Sequence, residues 1–393
     1  MILLAIETSC DETAVSVVKR VRGNAVRFEV LSHKILSQTD LHAQYGGVFP
    51  MLAKREHAKA LTQLIAECLE EADILVERTN THHIPLTERK KLEALLEREG
   101  DMLVAMKILF EGIQKPAIDA IAVTEGPGLE PALWVGINGA LALSLVWDIP
   151  LYPINHMEGH IIASTLSYAN GIYEIPTITM PSVALLISGG HTELVKMSKL
   201  RSYKVIGKTR DDAVGEAFDK SARMLDLPYP GGPEISRLAE HARNEGITVD
   251  EDLRLPRPMI HSKDLAFSFS GIKTAVLTRV AKRKPIDDLT RKMIALEFEN
   301  AVTDVLVAKV KQAMYESRAH TLIVGGGVSA NTHIRSSLQE LANTDDFTLF
   351  VPDKKLSTDN GLMIAATGLL HIAEGIEPRT KLKANGSWSI EDC

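Results

Sequence analysis

Cysteine is scarce. Cys10, Cys68 and Cys393 are the three present; they form no C-x-x-C pair. A disulfide framework is excluded, and a reducing cytoplasm fits. Long uninterrupted apolar runs are missing too. The longest, Ala132 to Trp147, is broken by Gly136, Asn138 and Gly139 and stops at Asp148. It is too short and interrupted to span a membrane, and it reads as a buried helix. The opening Met1–Ile6 is apolar but meets Glu7 with no basic region and no cleavage site. It reads as a strand and not as a signal peptide. There is no basic excess: the formal net charge is −7. That argues against indiscriminate nucleic-acid binding by the whole surface and leaves room for a local basic patch. What is present is 393 residues, 45% apolar and 24% charged, enough for two domains with sizeable cores.

The stretch Asn155-His156-Met157-Glu158-Gly159-His160 organises the chain. Two imidazoles four residues apart share one face of a helix, close enough to hold one metal ion. Two ligands make a weak site, so a third, best a carboxylate, must come from elsewhere. Read alone, the same spacing also describes two ordinary helical histidines.

Residues 2–18 form an apolar strand, a turn of small and acidic residues and a second strand, a hairpin whose tip carries Asp11 and Glu12. A Gly/Pro-punctuated loop at 41–50 precedes a helix over 53–72. Residues 74–111, with the polar loop 78–85, read as a surface helical insertion. Strand 117–123, loop 124–129, the buried helix and strand 151–154 give an α/β alternation. Residues 183–197 repeat the opening pattern around Ser188, Gly189 and Gly190, whose glycines would turn the backbone with positive φ and expose N–H groups to an anion. A helix is expected from Asp211 to about Leu225, with Glu216 and Asp219 on one face, and a half-buried strand at 267–269 before another helix. Helical spacing runs over 287–315. Gly325-Gly326-Gly327 closes a buried strand at 322–324, where a nucleotide explains three glycines better than turn-making does. Asp359, just before helix 362–373, is either that helix's N-cap or the third metal ligand.

Nine motifs occur in one order: IETSCDETA (6–14), HAQYGGVFP (42–50), HMEGH (156–160), LLISGGHTE (185–193), GEAFDK (215–220), YPGGP (229–233), FSFSGIKT (267–274), GGVSAN (326–331) and STDNG (357–361). Together the chain resembles the universal tRNA threonylcarbamoyltransferase family of the ASKHA superfamily, which includes actin, sugar kinases and Hsp70 chaperones. The resemblance implies a duplicated two-lobe α/β fold with an interdomain nucleotide and metal cleft. It implies an N-terminal lobe at 1–150, carrying the insertion, and a C-terminal lobe at 151–393 whose last helix packs back on the first. It implies that His156, His160 and Asp359 meet across the cleft and bind a divalent metal, iron ahead of zinc. Leu186, Ile187, Ser188, Gly189 and Gly190 would hold a threonylcarbamoyl-AMP or ATP/AMP-like nucleotide, with Asp219, Gly232 and Asn331 completing the pocket. Asp11 and Glu12 would be catalytic. The implied reaction moves threonylcarbamoyl from its AMP adduct to the exocyclic amine of the adenosine 3′ of the anticodon, in tRNAs reading codons that begin with A. Implied partners are tRNA, an inactive ASKHA paralogue, a P-loop ATPase and the enzyme that makes the adduct, with no membrane. Glu125 and Glu130-Pro131 stand where the family has small residues, a departure bearing on partner docking.

Two rival activities are weaker. A zincin needs Glu directly after the first histidine; Met157 is there, and Glu158 lies about 200° round the helix from His156. A small-molecule kinase of the same superfamily would need a γ-phosphate site and a base for a substrate hydroxyl. The basic stretches nearest to a tRNA-binding patch are 196–210 and 279–284.

Overall fold

A computed structural model describes residues 1–80 and 83–393; Thr81 and His82 of the expected polar loop lie outside the described residues. The chain divides into two compact units, 1–176 with 359–392, and 177–358. The division expected at residue 150 falls elsewhere, because the strand and helix after it stay with the first unit and the chain returns there at Asp359.

In the first unit β1 (Ile2–Glu7), β2 (Glu12–Val21) and β3 (Arg27–Ser37) form an antiparallel meander, with Glu7 opposite Ala14 at the first hairpin. After α1 (Thr39–Ala43), α2 (Pro50–Glu71), α3 (Leu86–Leu95) and α4 (Gly100–Gly112) comes β4 (Ala120–Gly126), parallel to β1. Helix α5 (Glu130–Trp147) leads to β5 (Leu151–Asn155), parallel to β4, and then to α6 (His156–Thr165). Short strands β6 (Ser167–Ala169) and β7 (Ile172–Glu174) extend the sheet, whose order is β5-β4-β1-β2-β3-β7-β6.

The second unit holds β8 (Ser182–Ile187), β9 (Thr192–Met197), β10 (Tyr203–Lys208), α7 (Val214–Met224), α8 (Gly231–Asn244), α9 (Ser270–Lys282), α10 (Asp288–Ser317), β11 (Thr321–Gly325), α11 (Thr332–Asp345) and β12 (Thr348–Phe350). Its sheet runs β10-β9-β8-β11-β12, with β8–β9 and β9–β10 antiparallel and β8–β11 and β11–β12 parallel. That is the first unit's β3-β2-β1-β4-β5, with every direction repeated. The fold is a duplicated α/β one. The chain then re-enters the first unit as α12 (Gly361–Ala373), packed on α6 and β1.

Several local expectations are corrected. The insertion is not confined to the surface: Met102, Met106, Leu109 and Phe110 of α4 are buried in the first core, and Phe110 packs edge-on against Trp147 at 5.3 Å. Residues 267–269 form no strand beyond a single bridge from Phe267 to Thr209; Asp211 instead accepts hydrogen bonds from Ser268, Phe269 and Ser270 and holds them as an entry to α9. That same duty keeps Asp211 outside α7, which starts three residues later than expected, at Val214. Gly189 and Gly190 do not take positive φ; Gly326 does, at +90°, with no room for a side chain because a Cβ there would lie 2.5 Å from Ile187 O.

One half-buried group makes the first unit acid-sensitive. Burial pushes the His33 imidazole on β3 down to about 4, against the opposing pull of Val15's backbone and the Glu71 charge. Its Nδ1 lies 2.7 Å from Ser16 Oγ. The unfolded chain takes up that proton near 6.5 and the folded chain resists to about 4, so stability falls as pH drops through this window. The loss approaches roughly 3 kcal/mol at the acid end. Urea midpoints of His33→Gln should therefore change less between pH 7 and 4.5 than those of the parent.

Candidate metal centre and glycine-lined turn

Asn155 closes β5 and caps α6: its Oδ1 accepts from the backbone N–H groups of Met157 and Glu158 at 2.9 and 3.3 Å. The cap fixes where α6 begins, and so fixes His156 in its first turn and His160 one turn on. Their ring centroids are 4.7 Å apart with planes crossed at 83°. Asp359 reaches both from the residue pair before α12. Its Oδ1 lies 3.4 Å from His156 Nε2 and 3.2 Å from His160 Nε2. The helix cap that Asp359 was expected to compete for belongs to Asn360, whose side chain accepts from Met363 N at 3.0 Å. The Asp359 carboxylate is thereby left to the histidines.

One ligand atom from each of His156, His160 and Asp359 lies within 4.8 Å of the others. All three residues belong to the first unit, which corrects the expectation that they meet across a cleft between lobes. His160 is buried, and its Nε2 makes no hydrogen bond. A buried imidazole nitrogen left so close to a carboxylate oxygen is an unmet demand that a cation answers. Burial pushes the Asp359 carboxyl up, but the His156 charge and the closeness of both imidazoles win and hold it well below the usual carboxylate range. Burial likewise pulls His156 down, and the Asp359 and Glu7 charges more than reverse it.

Sequence reasoning missed what stands behind these residues. Glu7, fully buried at the end of β1, accepts from Ser9 N and Thr124 Oγ1 at 2.5 Å each and lies 3.2 Å from His156 Nδ1. Ser9 Oγ is 3.1 Å from the same nitrogen. Glu158 and His371, both buried, meet at 2.9 Å and tie α6 to α12. Between them Gly159 lets the helices close: a Cβ there would sit 3.3 Å from Ile364 and Met363. An acid ending an otherwise apolar strand was the one visible signal for Glu7.

Asp11 and Glu12 lie at the β1–β2 turn. The backbone of the turn is held by a buried set: His57 Nε2 is 3.0 Å from Cys10 O, and Gln38 N donates to Asp11 O at 2.9 Å. Burial, then the charges of Asp11 and Asp359, push the Glu12 carboxyl up to about 9, so it keeps its proton at neutral pH.

The expected nucleotide residues all belong to the second unit. Leu186 and Ile187 end β8 and are buried; a Cβ on Gly189 or Gly190 at the following turn would meet nothing within 4 Å. The start of α7 packs against this turn, Gly215 N donating to Ser188 O at 3.2 Å. Asp219 Oδ1 accepts from Gly231 N at 2.8 Å, beside Gly232, where a Cβ would meet only the Phe218 side chain, at 3.9 Å. Asn331 is engaged by its own unit: Oδ1 caps α11, and Nδ2 donates to Ser236 and Glu299 at 2.7 and 2.6 Å. Glu125, one of the departures, is buried and clamps the C-terminal segment, taking Arg379 at 2.8 and 3.0 Å and Lys383 N at 2.9 Å.

The sequence model of the tRNA N6-adenosine threonylcarbamoyltransferases matches residues 29–84 and 102–366. The chain belongs to this family. Proteins bearing that name in Staphylococcus haemolyticus and Nitrosomonas europaea are 39% and 38% identical to it, over 100% of this chain and 97% and 100% of theirs. Among solved structures, a ROK hexokinase from Thermus thermophilus superposes with a TM-score of 0.41 at 12% identity, over 95% of this chain and 100% of that one. The chain is an acyltransferase of tRNA, in a duplicated α/β fold. Residues 85–101, which the family model passes over, are α3 and the entry to α4. Among the described residues no helix is long and apolar enough to cross a membrane.

Proposed function

We propose that the chain moves the threonylcarbamoyl group of threonylcarbamoyl-AMP to N6 of the adenosine 3′ of the anticodon, in tRNAs that read codons beginning with A. The observation that carries this is the convergence of His156, His160 and Asp359 within 4.8 Å in a chain of this family. These residues would hold one divalent ion, iron ahead of zinc; two imidazoles and one carboxylate suit either. When bound, the ion supplies Lewis acidity toward carbamoyl or phosphoryl oxygens.

The protein's own residues do the rest. Leu186 to Gly190, with Asp219 and Gly232, would hold the AMP part by backbone donors at an open turn. Asn331 serves that pocket by fixing the start of α11. As N6 attacks the carbamoyl carbon, the bond from that carbon to the phosphate oxygen breaks and AMP leaves with the electron pair. Glu12 holds its proton and donates a hydrogen bond. Asp11 is left to take the proton that N6 gives up. A cytoplasmic site of action fits, as do three protein partners: an inactive paralogue, a P-loop ATPase and the enzyme that supplies the adduct.

The test is transfer in vitro with purified tRNA and the adduct, reading nucleosides by mass. A threonylcarbamoyl mass on adenosine in tRNAs that read A-initial codons is the expected product. An unmodified nucleoside pool under conditions where the adduct survives would sink the reading.

A further inference from the structure

The second unit carries a charge pattern that its own folding does not account for. From Lys196 to Arg210 there are six basic residues and no acidic one, in a chain of net charge −7. The stretch is the β9–β10 hairpin, and β10 is the edge of its sheet. Lys196 on β9 stands directly opposite Lys204 on β10. Directly opposed residues have Cβ atoms about 5 Å apart, and like charges there cost stability. Arg210 is neutralised by Asp264 at 2.5 Å. Among the described residues, Lys196, Lys199, Lys204 and Lys208 make no ion pair. Glu193 is the one acid on these two strands, and it stands opposite Lys208.

Edge-strand lysines often serve only to block pairing with other sheets. That explains Lys204 and Lys208. It does not explain Lys196, which sits one strand in from the edge and aggravates the repulsion. The two opposed lysines line a concave patch with Ser198, Ser202 and Glu316. The serine hydroxyls are 3.1 Å apart. Two cations and two hydroxyls in a hollow are donors for phosphate oxygens. Lys208 does not join them: the register shift between Val205 and Gly207 sets it opposite Glu193, three residues from Lys196 and so on the other face of the sheet.

We infer that the β9–β10 hairpin is a docking surface for the sugar–phosphate backbone of the substrate tRNA, with Lys196 and Lys204 straddling a phosphate. The assignment rests on the reading of the chain as a tRNA-modifying enzyme. Charge complementarity selects the occupant: the polyanion relieves a repulsion the free protein carries. Such contacts orient the RNA and carry no sequence information of their own.

The experiment titrates fluorescent tRNA with the full chain across potassium chloride concentrations. It compares the parent, Lys196→Ala/Lys204→Ala, and Lys282→Ala/Lys284→Ala from the other basic stretch. The hairpin pair should weaken tRNA binding roughly ten-fold near 0.1 M salt and flatten the log–log salt dependence by about 1, for the one phosphate the two lysines share. Its melting temperature should hold or rise, since a like-charge pair has been removed, and AMP binding should not move. The Lys282/Lys284 variant should bind as the parent does. A hairpin variant that binds tRNA with the parent's affinity and salt slope overturns this surface and leaves the activity standing. An acidic protein as the occupant would show itself by that same result. A parent chain that neither binds nor modifies tRNA overturns both.

Discussion

Asp359→Ala is expected to empty the metal centre and reduce transfer about a thousand-fold. The carboxylate is the one ligand atom that reaches both imidazoles, at 3.4 and 3.2 Å. Without it two nitrogens remain, one turn apart on α6, and two ligands hold a divalent ion weakly. Lewis acidity at such a centre is worth several kcal/mol of transition-state stabilisation, and about 4 kcal/mol corresponds to three orders of magnitude in rate. Metal content, read by elemental analysis after desalting, should fall from near one equivalent to a small fraction. Folding is a separate matter. The metal-free protein loses a buried charge partner for His156, whose imidazolium Asp359 stabilises. Removing one member of such a pair typically costs 3–5 kcal/mol. Asp359→Asn limits the folding loss, since it leaves no cavity and keeps the shape and an oxygen that still accepts from His156, while giving up the charge the ion needs. A correctly folded Asp359→Asn with the parent's metal content and turnover would remove the metal from the mechanism.

The ligand set was readable because each part has a local signature. Two histidines four apart need only a helix to share a face, and α6 supplies it. Asp359 was left between two roles, and Asn360 settles the matter by taking the cap. The duplication was readable because hairpins built from an apolar strand and a small-residue turn look alike at 2–18 and 183–197. What could not be read depends on partners far away in sequence. Glu7 meets Thr124 and His156, 117 and 149 residues on; Glu158 meets His371, 213 residues on. No window of periodicity contains both members of such pairs, and a lone acid at a strand end defaults to solvent. The boundary at 150 failed for a related reason: β5 joins its sheet through β4, a tertiary pairing, and that carries α6 into the first unit. Gly189 and Gly190 were read as left-handed from composition; the strict requirement lies instead at Gly326, where Ile187 O closes off the space.

Glu7→Gln should cost 10- to 100-fold in metal affinity and more than that in turnover at limiting metal. The residue touches no ligand site itself; it acts through His156. Without an ion the ring is an imidazolium; when an ion takes the place of the Nε2 proton, a carboxylate beside Nδ1 keeps the remaining proton there in a hydrogen bond, the tautomer that leaves the Nε2 lone pair to the ion. Glutamine has the same shape but offers an amide N–H. Ser9 N can only donate, so it keeps the side-chain oxygen at the Oε1 position; the amide nitrogen then takes the Oε2 position, facing His156 Nδ1 and the Thr124 hydroxyl, which can turn to accept. Nδ1 then becomes the acceptor, the ring's proton moves to Nε2, and the metal must displace it. Ser9 Oγ, at 3.1 Å, can support either tautomer and so cannot restore the first. The measurement is competition with a chelator of known affinity, followed by transfer assays at rising metal concentration. Turnover that recovers as metal is added, in a variant with the parent's fold, marks a positioning role. Parent-like metal affinity in Glu7→Gln would mean that His156 keeps its tautomer without Glu7, and that the buried carboxylate serves only the strand end it closes.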